Sequence, residues 1–246
     1  MPSAAQIDFT HRTDPATLPE LMDQPCAYEQ FRDCLRDLAS VNRWTLAYQP
    51  TLRFLERALA AHPPRQPLRI LDVGSGAGDA LRQIALWAAR RKLHVQLTGI
   101  DLNPYSTRAA REFSAHNPRF ADIQWLTADI YAAPLPAEFD LILNSLMTHH
   151  LRDDEIVRFL CWLEANARLG WFINDVLRSP RAFRLFGILA KLMRWHPFVQ
   201  HDGPVSIRRG FRREDWVRLL TAAQVPPSAV HIDQPIPGRL CVTRIR

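Results

Sequence analysis

The sequence predicts an α/β fold, a doubly wound and mostly parallel sheet, and two stretches with a common rhythm predict it. The first is Leu68 to Asp79, "LRILDVGSGAGD", where an apolar run ends at Asp72 and breaks into Gly74, Gly76 and Gly78 before an alanine-rich helical segment starts near Ala80. This reads as strand, tight turn and helix N-terminus. The second is His94 to Ile100, a strand pattern followed at once by Asp101, with Asn103 and Pro104 opening the next helix. Beyond them strand-like and helical segments alternate to the end of the chain, which is the pattern of parallel sheets covered on both faces.

The glycine turn is built to be touched, because glycine lets a ligand lie against the backbone with no Cβ in the way. Its spacing is GxGxG rather than the GxGxxG of dinucleotide sites, and Asp72 and Asp79 flank it. Those carboxylates would repel a pyrophosphate, whereas they suit a phosphate-free ligand carrying an ammonium and a sulfonium. S-adenosyl-L-methionine has both charges. Asp72, Gly74, Ser75, Gly76 and Asp79 are therefore candidate cofactor contacts. Asp101, with Leu102 beside it, stands where an acid accepts the two ribose hydroxyls; a plain helix cap is the alternative use of such an Asp.

These residues resemble a family. "ILDVGSGAGD", "GIDLNP" and "ADIYAAPLPAEFDLILNSLMTHHL" are similar to class I S-adenosylmethionine-dependent methyltransferases, in the small-molecule branch near quinone-biosynthesis enzymes. "INDVLRSPRAF" and "HDGPVSIRRGF" further resemble bacterial enzymes that tailor phenolic or polyketide-type metabolites. The resemblance is specific from Leu68 to Leu151, extends to Phe211 and is thin before residue 60. It implies a Rossmann-like sheet of seven strands with an antiparallel finish, S-adenosyl-L-methionine as donor and S-adenosyl-L-homocysteine as product. It also implies that Asp129 and Ile130 hold the adenine. A loop Asp is the plainer reading of Asp129.

Taken in order, residues 1–14 are polar and irregular, which reads as a loose arm. A short helix fits Leu18 to Met22. The stripe Tyr28, Phe31, Leu35, Leu38, Val41 gives a longer helix, and another follows with Pro50 in its first turn and Leu52, Leu55 and Leu59 on one face. Trp44 and Tyr48 are weak pocket candidates. Pro63, Pro64 and Pro67 mark a linker, so residues 1–64 are expected to form a helical extension and 65–246 the methyltransferase domain; the resemblance implies that the extension covers the site, and plain packing on the sheet is the alternative. Tyr105 to His116 reads as a helix, Ile123 to Thr127 as a strand, and Pro134 and Pro136 close the loop before the strand Phe139 to Leu143.

Ligands of open α/β sheets sit beyond the C-terminal strand ends, so Asn144 and the residues after it should face the chemistry. Asn144 is assigned to the cofactor. An imidazole titrates near neutral pH and so could deprotonate a phenolic acceptor; the resemblance implies His149 as the first choice, with His150 the second, and either could instead cap the helix that starts near Arg152 or hydrogen-bond within the core. Asp153 to Ala167 is helical, and "ARLG" stands as a shortened turn before the strand Trp171 to Val176, whose Asn174 and Asp175 are candidate acceptor groups. An insert at about 178–206 reads as a helical lid with Phe183 and Phe186 lining an aromatic pocket; its outer side is free for the body of the protein or the second copy of a homodimer. A membrane surface is the competing use of its apolar residues. "HDGP" reads as a turn that offers His201 as an alternative base and Asp202 as its orienter. A helix to Ala223 and the strands Val230 to Asp233 and Leu240 to Ile245 complete the fold.

Composition narrows the rest. The formal charge is +6, yet only Lys92 and Lys191 are lysines, so the bias toward arginine reads as a composition habit more than a nucleic-acid footprint. No run approaches the ~18 apolar residues of a membrane span, and the N-terminus lacks a secretory pattern, so a cytoplasmic protein is expected. Cys26, Cys34, Cys161 and Cys241 lie apart, which favours reduced thiols. With neither a carboxylate nor a cysteine at ligand spacing from His149 and His150, no metal is expected. The leading expectation is O-methylation of a phenolic hydroxyl on a quinone-type or secondary-metabolite molecule. C-methylation of a polyketide-like substrate, an RNA or protein methyltransferase, and a silent cofactor-binding relative are the alternatives.

Overall fold

A computed structural model describes residues 7–62, 67–132, 135 and 137–246. The linker prolines Pro63 and Pro64, the boundary between 64 and 65, and the loop prolines Pro134 and Pro136 lie outside the described residues. Seven strands form one sheet in the order β3-β2-β1-β4-β5-β7-β6: β1 (Leu68–Val73), β2 (Val95–Asp101), β3 (Gln124–Thr127), β4 (Phe139–Ser145), β5 (Ala167–Val176), β6 (His231–Asp233) and β7 (Arg239–Ile245). Strands β1 to β5 pair in parallel, and β7 inserts antiparallel between β5 and β6. The central strands are apolar along nearly their whole length because helices cover both faces.

One face carries α2 (Tyr48–Ala61), α3 (Asp79–Arg90) and α4 (Pro104–Ser114); the other carries α5 (Asp153–Asn166) and α8 (Arg213–Ala222). Phe54 of α2 stacks on Phe172 of β5 with ring centroids 5.0 Å apart, so the N-terminal helices share the sheet's core. On α2 the buried face is Thr51, Phe54, Leu55 and Ala58, while Leu52 and Leu59 are only partly covered. α1 (Tyr28–Trp44) buries Tyr28, Phe31, Leu35 and Val41 of the stripe together with Cys34, while Leu38 is only partly covered. Asn103 caps α4 by accepting from the Tyr105 amide, with Pro104 in the first turn.

Three local expectations are corrected. The segment Leu18 to Met22 holds only a 3-10 turn at Leu21–Asp23. "ARLG" is no turn: β5 begins at Ala167, directly after α5, and Gly170 sits in the strand against the Arg244 carbonyl. "HDGP" is helical, lying inside α7 (Pro197–Arg209). Pro204 would ordinarily break such a helix. Here the segment is held by packing, since the Phe186 ring of α6 (Pro180–Leu192) fills the space where a Cβ on Gly203 would stand, 1.9 Å from Cε1. Residues 7–14 are not a loose arm either. Arg178 donates to the Phe9 and Thr10 carbonyls, Thr13 donates to the Arg208 carbonyl, and Phe9 is buried against Phe183.

Candidate active site

At the C-terminal ends of β1, β2 and β4 the chain forms a cavity of about 580 Å³. The glycine turn is its floor. Gly74, Gly76 and Gly78 all have positive φ, at 68°, 53° and 73°, a backbone that side chains resist. A Cβ on Gly74 would fall 2.7 Å from Met147, and one on Gly78 2.0 Å from the Trp125 ring. The turn is thus tight for two reasons, the hairpin of the backbone and the close packing of its neighbours.

Asp72, Gly74, Ser75, Gly76 and Asp79 line the cavity, as do Asp101, Leu102, Asp129 and Ile130. Asp101 accepts from the Gly76 and Asn103 amides, each at 2.9 Å, so its carboxylate is fixed across the turn. Asp129 is fixed in the same manner by the Tyr131 amide. Asn144 is fully buried beneath the turn, donates to the Val73 carbonyl, and lies outside the lining; its Oδ1 has no partner among the described residues. Asp72 Oδ1 and Ser75 Oγ are likewise buried without partners. Burial, with Asp79 and Asp101 close by, pushes the Asp72 carboxyl well above its usual range, and burial also raises Asp101. Acidic groups crowded into a low-dielectric cleft are relieved by a cation.

The histidines separate. His150 lines the cavity, with Nδ1 3.1 Å from Asp23 and Nε2 3.7 Å from Glu20. His149 does not line it. Its ring is buried, with Nδ1 2.7 Å from Asp175 and Nε2 3.6 Å from Glu20. Burial opposes its charge, but the two carboxylates outweigh burial and lift His149 to about 9, while His149 draws Asp175 down to about 2 against the same burial. A buried ring held between two carboxylates and outside the cavity lining is placed to fasten the turn rather than to meet an acceptor. Asp175 is committed to this pair and to Thr148, so it too is no acceptor contact. Asn174 does line the cavity, donating to the Ala47 carbonyl.

The lid assignments are corrected as well. His201 and Asp202 lie on α7, away from the cavity lining. Asp202 accepts from the Leu21 and Met22 amides and from His201, so it fastens the N-terminal segment. Phe183 packs on Phe9, and Phe186 packs on Trp195 and Gly203. Neither ring reaches the cavity, because α6 turns its inner side to α1 and α7. Trp44 is exposed, whereas Tyr48 lines the cavity and donates to Asp79.

Sequence reasoning missed the residues that organise the histidines. Glu20, buried, accepts from Ser206 and faces the buried Arg209 guanidinium at 3.1 Å; Arg209 also meets Asp23 at 3.3 Å. Arg12 donates to the carbonyls of Thr148, His149 and Leu151 and pairs with Asp153. No local spacing signals these contacts, which join residues more than a hundred positions apart. Glu20 also alters the basis on which a metal was set aside, for its ligand atom and those of His149 and His150 lie within 4.8 Å of one another.

Residues 70–166 match the family model described as a methyltransferase domain. The ubiquinone biosynthesis O-methyltransferase of Cereibacter sphaeroides is 30% identical over 153 residues, 60% of this chain and 57% of that protein. The Aeromonas salmonicida protein of the same name is 31% identical over 137 residues, 54% of each chain. This chain thus spans little more than half the length of these curated relatives. Among solved structures, the plantazolicin methyltransferase BpumL in complex with a desmethyl substrate analogue and S-adenosylhomocysteine aligns over 89% of this chain and 97% of its own, with a TM-score of 0.57 at 16% identity. Human N-acetylserotonin methyltransferase, with S-adenosylmethionine, aligns over 89% of this chain and 56% of its own, with a TM-score of 0.57 at 17% identity. Residues 70–166 thus match a methyltransferase domain, and the chain shares the fold of these S-adenosylmethionine-dependent methyltransferases.

Proposed function

We propose that this chain transfers a methyl group from S-adenosylmethionine to a hydroxyl of a small aromatic, quinone-type acceptor, with His150 as the base. The observation that carries the donor reading is the trio Asp72, Asp79 and Asp101 around a phosphate-free glycine turn, two of them with pKa values raised. Asp101 would hold the ribose, Asp129 and Ile130 the adenine, and Asp72 with Asp79 the positive end of the donor. The sulfonium supplies an activated methyl group, so the chain's own tasks are alignment and proton removal.

His150 suits the second task. Its ring faces the cavity while Asp23 holds Nδ1, which orients the imidazole and stabilises the imidazolium it becomes. His149, already charged, acts as a buried post that keeps the 148–150 turn against Asp175. The acceptor space beside His150 includes Met22, Leu146, Met147 and Leu151, apolar groups that suit an aromatic ring, and the named activity of the curated relatives supports a quinone-type acceptor. We read Glu20 with its two histidines as an ion network rather than a metal centre, because the Arg209 guanidinium and Ser206 hydroxyl already take Glu20 Oε1. Residues 1–64 act as cover, through Met22, Asp23, Phe31 and Tyr48.

The test is His150→Gln assayed with phenolic acceptors by mass spectrometry. Turnover should fall by about 10²–10⁴ with S-adenosylhomocysteine affinity unchanged. Full turnover in this variant would remove His150 from the mechanism.

A further inference from the structure

The outer side of α6 is apolar, and nothing covers it among the described residues. Leu185, Ile188 and Leu192 follow one another at spacings of three and four, which sets them on one face of the helix, and they keep 68%, 66% and 76% of their surface exposed. The inner side already holds the helix in place, since Phe186, Leu189 and Ala190 pack with Trp195, Val199 and the α1 residues Cys34 and Val41. Folding therefore does not call for the outer three. Ile236, 91% exposed, lies on the loop beside the first turn of α6, where a Cβ on Gly238 would stand 3.6 Å from Ala182. Scattered apolar residues on a surface are ordinary, but three in a row on one helix face mark a surface that something covers.

The charge around this face says what the cover is. From Val176 to His201 the chain has no Asp or Glu, yet it carries Arg178, Arg181, Arg184, Lys191 and Arg194. Arg178 is buried and spent on the Phe9 and Gly210 carbonyls and Asp215; the other four are exposed, and none of them forms an ion pair among the described residues. Arg181 stands one turn before Leu185, while Arg184 and Lys191 lie four before and three after Ile188, so all three border the apolar stripe. The acids that bound the stretch, Asp175 and Asp202, are both buried, and Asp37 of α1 accepts from the His196 amide at 2.6 Å. A second copy of the chain is a poor occupant, because a twofold contact through α6 would set the same cations against one another. An apolar stripe rimmed by arginine and lysine fits an anionic lipid surface, where leucine and isoleucine enter the acyl boundary and the long basic side chains stay at the headgroup phosphates.

We propose that α6 docks this protein on anionic membranes, with Leu185, Ile188 and Leu192 in the lipid and Arg181, Arg184 and Lys191 on the phosphates. Leu38 of α1 packs on the inner side of α6 and also lines the cavity, so the docked helix lies one helix away from the site. A lipid-soluble acceptor would then be met where it resides. That consequence rests on the acceptor reading above; the docking itself does not.

Flotation of the full chain with two kinds of vesicle tests this, phosphatidylcholine alone and equal parts of phosphatidylcholine and phosphatidylglycerol. The wild type should float with the anionic vesicles only, and less so as salt is raised. Exchange of Leu185, Ile188 and Leu192 for Gln together should weaken that binding by at least about tenfold, through the apolar surface it withdraws from the lipid. Arg184→Gln with Lys191→Gln should weaken it by about thirtyfold, since each basic residue at such a surface is worth about a factor of five. Both variants should keep the wild-type melting temperature and S-adenosylhomocysteine affinity, because every altered side chain is exposed and outside the cavity lining.

A wild type that floats with neither vesicle would overturn the proposal. Sedimentation would then assign the face, to a second copy if the wild type is a dimer that the apolar variant splits, and to an acidic protein if it is a monomer. Equal flotation with both vesicles would leave the cations without a part and overturn the anionic assignment. Full binding by both variants would place the contact on another surface, and an apolar variant that fails to fold would show that the stripe packs on the protein itself.

Discussion

The two ends of the cavity are built in opposite ways. At the donor end most anchoring groups lie within a few residues of a strand terminus, Asp72 and the glycines at the end of β1, Asp101 closing β2 and Asp129 just beyond β3, with Asp79 alone also held by Tyr48 of α2. At the histidine end each group is held from afar, Glu20 and Asp23 reaching His149 and His150, Arg209 reaching both acids, and Arg12 gathering the carbonyls of Thr148, His149 and Leu151. Local turn chemistry makes the first a rigid shelf. The second exists only when the N-terminal segment is docked, so its order depends on long-range ion pairs. The difference teaches that donor binding and acceptor activation can be broken separately, and the largest effects should appear where buried charge is left without its counterion.

Arg209→Met should have the largest effect. It leaves the buried Glu20, and the exposed Asp23 beside it, without their guanidinium, and the loss of a buried charge's counterion typically costs about 3–5 kcal/mol. Urea denaturation should show that drop, and turnover should fall with it because Asp23 no longer holds His150. Stability within about 1 kcal/mol of the wild type would mean that the histidine end does not depend on the docked segment.

Asp101→Asn comes next and strikes the shelf alone. The amide keeps one acceptor oxygen but loses the charge, so S-adenosylhomocysteine affinity should fall by about 10–100-fold, in line with hydrogen bonds to a charged group. The melting temperature of the ligand-free protein should hold or rise, since burial already disfavours the charged form of Asp101. A collapse in stability with intact binding would reverse the contrast between the two ends.

That contrast tracks what could be read from the sequence. The glycine turn, Asp101 and the seven strands were legible because each is set by neighbouring residues, with apolar runs for the strands and special φ for the turn. The direction of β7 came with the resemblance. Asn144 was placed correctly at a strand end, but its burial beneath the turn depends on side-chain direction and was not legible. The order of the two histidines is not legible from the sequence, because their rings lie side by side, 4.3 Å apart, and only the tertiary partners Asp175 and Asp23 decide which ring meets the cavity. The "HDGP" segment misled because Pro and Gly are turn signals locally, while the packing of Phe186 on Gly203 favours helix. Glu20 and Arg209 carry no signature at all.

A pH series sharpens the account of His149. Its folded pKa, about 9, exceeds the ordinary value of 6.5, so the pair's contribution is complete below about pH 6.5, where folded and unfolded chains both hold the proton. From there to about 9 the unfolded chain sheds a proton that the folded chain keeps, and stability should decline by at most a few kcal/mol. On the acid side Asp175, drawn down to about 2, keeps its contribution above about pH 4 and loses it as pH falls through 2. His149→Gln should abolish the alkaline decline in thermal melts. A slope that persists in that variant would place its origin in another group.

The smallest effect expected is that of a chelator, and it bears on the same cluster. Glu20, His149 and His150 are close enough to share a cation, but a divalent ion there would sit beside the Arg209 guanidinium, 3.1 Å from the same Glu20 oxygen, and would compete with the charge that His149 already carries. Like charges so near in a buried site oppose one another strongly. Dialysis against a chelator should therefore shift the melting temperature by no more than about a degree and leave turnover unchanged. A large loss restored by zinc or magnesium would mean that Arg209 gives way and that the histidine end is assembled around an ion. Arg209→Met would then bind that ion more tightly rather than less.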